Sequence, residues 1–204
     1  MNQGKLFIIS SPSGGGKGTL ISKLRENLPD IGYSVSFTTR AMRMGEENGR
    51  EYFFVDDAEF DRMIANDEFL EFAVVHKHRY GTSKRVVQNL LDSGKDALLE
   101  IDVQGAKNIF ESMTDAISIF ILPPSLEVLE ARLRERSTET EEAVNVRLSN
   151  AKQEVTAVGM FQYVIINDKL ETATKDLLSI FLAERLRPDR QKRLIRDILN
   201  SFEN

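Results

Sequence analysis

A short apolar run breaks into glycine and then lysine near the start of the chain: Ile8-Ile9-Ser10-Ser11-Pro12-Ser13-Gly14-Gly15-Gly16-Lys17-Gly18-Thr19-Leu20. The run Leu6–Ser10 is continuous enough in apolar residues for a strand buried on both faces. Beyond the turn, Leu20, Ile21, Leu24 and Leu28 share one face of a helix predicted over 19–28. Glycines between a strand and a helix let successive N–H groups converge on phosphate oxygens with no Cβ in the way. The helix adds its positive end, and Lys17 reaches the outer phosphates as a mobile point charge. The segment departs from G-x-x-x-x-G-K-[ST] at two positions. Ser11 replaces the first glycine, and Gly18 replaces the hydroxyl residue that contacts metal, leaving Thr19 as the next hydroxyl. Ser11, Pro12, Ser13, Gly14, Gly15, Gly16, Lys17, Gly18 and Thr19 are therefore the candidate phosphate-binding residues.

Four further apolar runs follow, at 34–37, 97–101, Ile117–Leu122 and Tyr163–Ile166, with helical periodicities over 126–136 and 141–155. Strands alternating with helices predict an α/β fold with right-handed crossovers. Phe110, Phe120 and Phe161 read as core packing. Two stretches fit no plain crossover. The long polar stretch 38–94, broken by Gly45, Gly49 and Gly81, reads as an inserted lobe. The charged stretch 132–147 reads as a mobile lid, with a helix capped by Thr138 or Thr140. After Pro188 a basic helical pattern suits a solvated or subunit-contacting helix.

Composition removes several classes. Among 204 residues there is no Cys, which excludes disulfides, thiolate metal sites and a Cys nucleophile. The 2 His exclude a three-His metal site, and His76 and His78 have no third ligand at suitable spacing. With 27 Lys+Arg against 32 Asp+Glu the net charge is −5, unlike a chain whose primary partner is nucleic acid. The first apolar run is too short for a signal-peptide core or a membrane span, so a soluble, cytoplasmic protein is expected.

Seven more segments occur in one order: Ser36-Phe37-Thr38-Thr39-Arg40-Ala41-Met42-Arg43, Gly49-Arg50-Glu51-Tyr52-Phe53-Phe54, Glu68-Phe69-Leu70-Glu71, Tyr80-Gly81-Thr82-Ser83, Leu99-Glu100-Ile101-Asp102-Val103-Gln104-Gly105, Thr138-Glu139-Thr140-Glu141-Glu142 and Ile166-Asn167-Asp168. Together with the glycine-rich turn they closely resemble the guanylate kinases, from about residue 4 to about residue 187. The tail is similar to that of bacterial members. The resemblance implies a three-layer P-loop NTPase fold with a five-stranded parallel sheet core at about 1–33, 95–130 and 155–187. It further implies a GMP-binding lobe at about 34–94, a mobile lid at about 131–154 and a basic C-terminal helix at 188–204. The implied reaction is Mg-ATP-dependent phosphoryl transfer to GMP, giving GDP and ADP in purine metabolism. ATP and GMP are then the partners, with neither nucleic acid nor membrane, and self-association stays open.

The resemblance also assigns roles. Arg40 and Arg43 would grip the GMP phosphate, with the hydroxyls of Tyr52 and Tyr80. Glu71 would accept guanine N1–H and N2–H₂ together, while Ser36 and Thr82 donate to O6. Adenine presents a bare N1 lone pair to the same carboxylate and is repelled. Asp102 is similar to the acidic residue that orients Mg²⁺-bound water, and Mg²⁺ would otherwise rest on ATP, waters and Thr19. Glu100 shares strand parity with Asp102, and one of the two can instead cap the next helix. Arg132, Arg136 and Arg147 match family arginines. The last two would neutralise the transferring phosphoryl group, and Arg132 or Arg136 would lie over the adenine bordered by Asn167 and Asp168. The Ser36, Glu71 and Thr82 set speaks against AMP, UMP or dTMP as acceptor. Lys17, Arg136 and Arg147 speak against a non-enzymatic scaffold domain of the same fold.

Overall fold

The computed structural model describes residues 4–75, 77–135 and 141–203. Strand β1 (Leu6–Ser10) turns through the glycines into α1 (Lys17–Asn27), whose Leu20, Ile21 and Leu24 are buried as the periodicity predicts. The chain continues through β2 (Gly32–Tyr33), β3 (Phe37–Thr38), β4 (Phe53–Phe54), α2 (Asp57–Ala65), β5 (Phe69–Val75), β6 (His78–Ser83) and α3 (Lys84–Asp92). Next come β7 (Ala97–Glu100), α4 (Val103–Ser112), β8 (Ile117–Leu122), α5 (Leu126–Glu135) and α6 (Glu141–Glu154). The chain closes with β9 (Tyr163–Ile166), α7 (Leu170–Arg185) and α8 (Lys192–Phe202).

Five strands form one parallel sheet in the order β2-β7-β1-β8-β9. Continuous apolar runs are needed because both faces are covered. Phe7, Ile9, Leu98, Ile119 and Ile121 face Leu24 of α1 and Leu177 and Phe181 of α7. Ile8, Leu99 and Phe120 face the other layer, with Ala106 and Ile109 of α4. Phe7 stacks on Phe181 at 3.9 Å between ring centroids, and Phe161 meets both Phe110 and Phe120. Each fully buried Phe contributes about 1.5–3 kcal/mol. The chain runs from β1 out to β2 on one side and later passes from β7 across β1 to β8 on the other, so a crevice opens beyond the carboxyl end of β1, where open α/β sheets bind ligands.

The run at 34–37 differs from expectation. Its core strand is β2, just upstream, held where Gly32 N donates to Asp96 O and Ser34 N to Leu98 O. Pairing with β7 ends there, and Phe37 and Thr38 enter a second sheet of order β4-β3-β6-β5. That sheet closes over its own cluster of Phe60, Met63 and Phe69. Helix α3 leads back to the core, where Val87 and Leu91 join Leu6 and Ile8.

Helices α5 and α6 form a third small cluster through Leu129, Leu133, Val144 and Ala151. Arg136, Thr138 and Thr140 lie outside the described residues, so the helix cap expected from Thr138 or Thr140 does too. Below α6 a 3-10 turn, Val155–Met160, buries Ala157 in the main core. At the opposite end Asp96, 2% exposed, accepts Lys5 N, Arg185 Nε and Arg190 Nη2 at 3.0, 2.8 and 2.6 Å. Beyond this clasp α8 buries no residue and leaves Leu194, Ile198, Leu199 and Phe202 exposed. Among the described residues no helix is long and apolar enough to cross a membrane.

Candidate active site

The glycine-rich turn is shaped by backbone. Gly14 and Gly16 sit at φ 85° and 88°, and Gly15 N donates to Pro12 O at 2.9 Å. Asn167 Nδ2 donates to Gly15 O at 2.9 Å from beneath, where a Cβ on Gly16 would collide with it. Helix α1 has no acidic residue in its first turn and no side-chain cap, so its positive end is left for an anion. Lys17 Nζ reaches across to Ile101 O at 2.9 Å, at the tip of β7. Ser11 is buried, whereas Thr19 is exposed on α1 and does not line the cleft described below.

Across the crevice the second sheet presents side chains. Arg40 is held by Glu46 at 2.8 Å and by Ala41 O at 2.7 Å, its guanidinium over the Tyr52 and Phe54 rings at 5.4 and 5.6 Å. Arg43 N also donates to Glu46, while the Arg43 side chain is exposed. Tyr52 meets the Tyr80 ring edge-on. Burial, with the nearby Glu100 charge, pushes the Tyr52 phenol up to about 12, so it stays a hydroxyl donor.

Glu71 is buried between Thr82 and Gly105. Thr82 Oγ1 donates to Glu71 Oε1 at 2.6 Å, and a Cβ on Gly105 would lie 2.5 Å from Glu71 Oε2. Burial raises the Glu71 carboxyl to about 7, the Thr82 hydrogen bond opposes this, and the Asp102 charge adds to it. Of the two acids left open for capping, Asp102 is the cap, accepting Gly105 N at 2.7 Å at the start of α4. Glu100 instead accepts from the Tyr33 hydroxyl at 3.0 Å, and its other oxygen lies 3.6 Å from where a Gly18 Cβ would stand. Ser36 is half-buried on the approach to β3, and its carbonyl accepts Phe53 N.

Helices α5 and α6 reach the turn from a third side. Arg147 Nε donates to Ser13 Oγ at 3.1 Å, and Ser13 N donates to Glu154 Oε2 at 2.9 Å. Arg132 Nη2 donates to Asn167 O at 2.9 Å, which couples α5 to the strand end supporting the turn. Arg132 Nη1 is buried without a hydrogen-bond partner among the described residues. Asp168 is exposed beside Asn167.

A cleft of about 1240 Å³ joins these parts. It brings together Ser11 to Gly18, Arg40, Arg43, Tyr80, Glu100, Asp102 and Arg147, from five separated stretches of sequence. Thr19, Ser36, Tyr52, Glu71, Thr82, Arg132, Asn167 and Asp168 do not line it, and Arg136 lies outside the described residues.

The family model described as guanylate kinase matches residues 3–184. The chain belongs to the guanylate kinase family. The guanylate kinase of Sodalis glossinidius is 50% identical over 194 residues, covering 94% of each chain. That of Carboxydothermus hydrogenoformans is 45% identical over 190 residues, covering 93% of each. The crystal structure of guanylate kinase from Anaplasma phagocytophilum superposes with a TM-score of 0.79 at 37% identity, covering 98% of this chain and 96% of that one. The five-stranded parallel sheet with its glycine-rich turn is thus the P-loop NTPase fold of the guanylate kinases.

Sequence reasoning missed Tyr33, Lys77, Glu142 and Glu154, and it weighed His78 only as a metal ligand. Apart from Tyr33, these residues line the cleft. Glu154 had a signal: it falls seven positions after Arg147 on one predicted helix, two turns along the same face. Tyr33 had none, because only folding brings the end of β2 beside Glu100.

Proposed function

We propose that this guanylate kinase family member transfers the terminal phosphoryl group of Mg-ATP to GMP, releasing ADP and GDP. The supporting observation is the shared cleft, in which the glycine-rich turn with Lys17 confronts Arg40, Arg43 and Tyr80. In this reading Ser11 to Thr19 cradle the ATP phosphates, and Arg132, Asn167 and Asp168 border the adenine. Arg40, Arg43, Tyr52 and Tyr80 hold the GMP phosphate. Glu71, Ser36 and Thr82 read guanine; Thr82 gives its one hydroxyl proton to Glu71, so donation to O6 requires that hydroxyl to turn from Glu71 to the base. The stretch 34–94 is then the GMP lobe, 131–154 the lid, and 188–204 a peripheral helix.

The acceptor is a phosphate oxygen already carrying about −1.5 to −2 charge at neutral pH, so no general base is required. The task is to bring two polyanions together. Like unit charges at about 4 Å repel by about 4 kcal/mol at an effective dielectric near 20. Lys17, Arg40, Arg43, Arg136 and Arg147 supply counter-charge, and catalysis is positioning with electrostatic stabilisation of an in-line transfer. Lobe and lid closure excludes water that would otherwise take the phosphoryl group.

Hard oxygen donors at the cleft fit Mg²⁺: the carboxylates of Asp102 and Glu100 line the same wall as the glycine-rich turn. Among the described residues no group of three His, Cys, Asp or Glu forms a metal cage. Asp102 would hold the hydrated ion, with Thr19, the next hydroxyl along the chain after Lys17, approaching from α1 outside the cleft lining; the ion would supply charge neutralisation on the phosphates. The reading is of a cytoplasmic enzyme with small-molecule partners rather than nucleic acid or membrane. The exposed apolar face of α8 supports self-association.

A coupled assay of ADP release from Mg-ATP, with GMP, AMP, UMP and dTMP offered separately, tests the proposal. Turnover with GMP at least about a hundredfold above the others is expected from a site built on buried hydrogen bonds. A folded protein with no turnover on any acceptor overturns it.

A further inference from the structure

We infer that Glu154 is a positioning residue for the phosphate loop and the pivot from which the α6 arginine is aimed. The inference rests on the reading of the loop as the ATP site. Two charged side chains of α6 end on the same loop residue. Glu154 Oε2 takes the Ser13 N–H at 2.9 Å, while Arg147 Nε gives its hydrogen bond to the Ser13 hydroxyl at 3.1 Å. Ser13 is thereby engaged through both its backbone and its side chain.

The two ends of α6 differ in how they are anchored. Glu154 is the last residue of the helix, and the 3-10 turn after it buries Ala157 among the main-core residues Phe120 and Phe161. Arg147 lies seven residues nearer the N-terminal end, about 10 Å along the axis. Around Arg147 the helix packs through Val144 and Ala151 with Leu129 and Leu133 of α5, in a cluster separate from the main core. A rotation of the helix pair about its base therefore moves Arg147 and leaves Glu154 nearly still.

The bond also fixes the loop. Ser13 stands immediately before Gly14, where φ turns positive, and a loop N–H without an acceptor has other conformations to sample. A carboxylate is a strong acceptor for it, about twice as strong as a neutral one. Glu154 carries a negative charge into a site meant for phosphates. Its use there makes sense if the gain from a fixed loop exceeds the repulsion, and the Arg147 guanidinium on the same residue offsets that charge.

Three measurements on the full chain test this. Direct titration of Mg-ATP and of GMP, each alone, compares wild type with Glu154→Ala and Glu154→Gln. Alanine removes the acceptor and should weaken Mg-ATP binding at least tenfold while GMP affinity stays within twofold. Glutamine keeps an oxygen acceptor and should restore Mg-ATP affinity to within threefold of wild type. In turnover the alanine variant should show a raised KM for ATP with an unchanged KM for GMP, a split that general loosening of the fold does not produce. Mg-ATP affinity unchanged in the alanine variant overturns the inference, as does a glutamine variant as weak as alanine. Should Glu154→Ala fail to fold, amide hydrogen exchange in the wild-type protein decides: Ser13 N–H protected supports the pivot, and Ser13 exchanging as an open loop amide overturns it. These titrations need no phosphoryl transfer, so a failure of the proposed reaction is read separately.

Discussion

On the loop side of the cleft the wall is mostly main chain: two left-handed glycines, an uncapped helix end and an Asn167 prop, all resting on a five-stranded sheet. On the second-sheet side it is mostly side chain. Arg40, Arg43, Tyr52 and Tyr80 hang from strands as short as two residues over a cluster of a few aromatic rings. The first construction binds charge through geometry that one substitution can spoil but that few side chains decide. The second binds through individual groups that can be removed one at a time.

That contrast predicts a ranking. Lys17→Ala takes the one mobile charge from the loop side and should lower kcat by about 10²–10³-fold, the usual loss for a group that stabilises developing charge. Single-turnover kinetics, with circular dichroism to verify folding, check it. Arg43→Ala should lower kcat/KM for GMP by at least about tenfold, the worth of one charge-assisted hydrogen bond, and leave Mg-ATP affinity nearly intact. An equal loss on both substrates would mean that the two sides are not separable.

Glu71 gives a smaller effect with a defined pH signature. Its carboxyl titrates near 7 in the fold against 4.5 in the open chain, mainly because it is buried. Between those values the folded chain holds a proton that the unfolded chain has lost, so stability falls as pH rises through this window. Glu71→Gln removes that penalty. The variant should be more stable than wild type at about pH 8, by on the order of 3 kcal/mol at most, with the gap closing near pH 4. Guanine donors favour the charged form, so GMP binding to wild type near neutral pH should release a proton. Calorimetry in buffers of different ionisation enthalpy will detect it, and the glutamine variant should lose both the release and much of the preference for GMP.

The least disruptive change lies far from either side. Truncation after Gln191 removes α8 but keeps the Arg190–Asp96 pair, and should leave turnover unchanged while reducing the sedimentation coefficient to that of a monomer.

Much of the loop side was legible in the sequence because it is local. Strand, glycines, lysine and helix follow one another within one stretch, and the apolar face of α1 repeats at helical spacing. The second-sheet side was legible only through its resemblance to a family. Arg40 and Glu71 become neighbours of one crevice through pairings such as Phe37 with Gly81 and Glu71 with Thr82, which no local period reveals. The misplaced strand at 34–37 has the same origin. Its apolar residues suited a core strand, but hydrogen bonding to β7 ends at Ser34 and Phe37 serves the other sheet. Asp102 as a helix cap was open in the sequence as one of two choices, and the Gly105 N–H decided it.

The clasp at Asp96 bears on how the chain is made. An enclosed carboxylate left without its partners costs about 3–5 kcal/mol. Its two guanidinium partners, Arg185 and Arg190, stand 89 and 94 residues away along the chain. During synthesis the strand that follows Asp96 is therefore complete long before its counter-charges leave the ribosome. A nascent chain arrested short of Arg185 offers this carboxylate the Lys5 N–H but neither guanidinium, so burying it as β7 settles beside β1 carries an uncompensated charge. Closure of the core around Asp96 therefore waits on α7 and the turn after it, which couples the last-made elements to the strand beside β1.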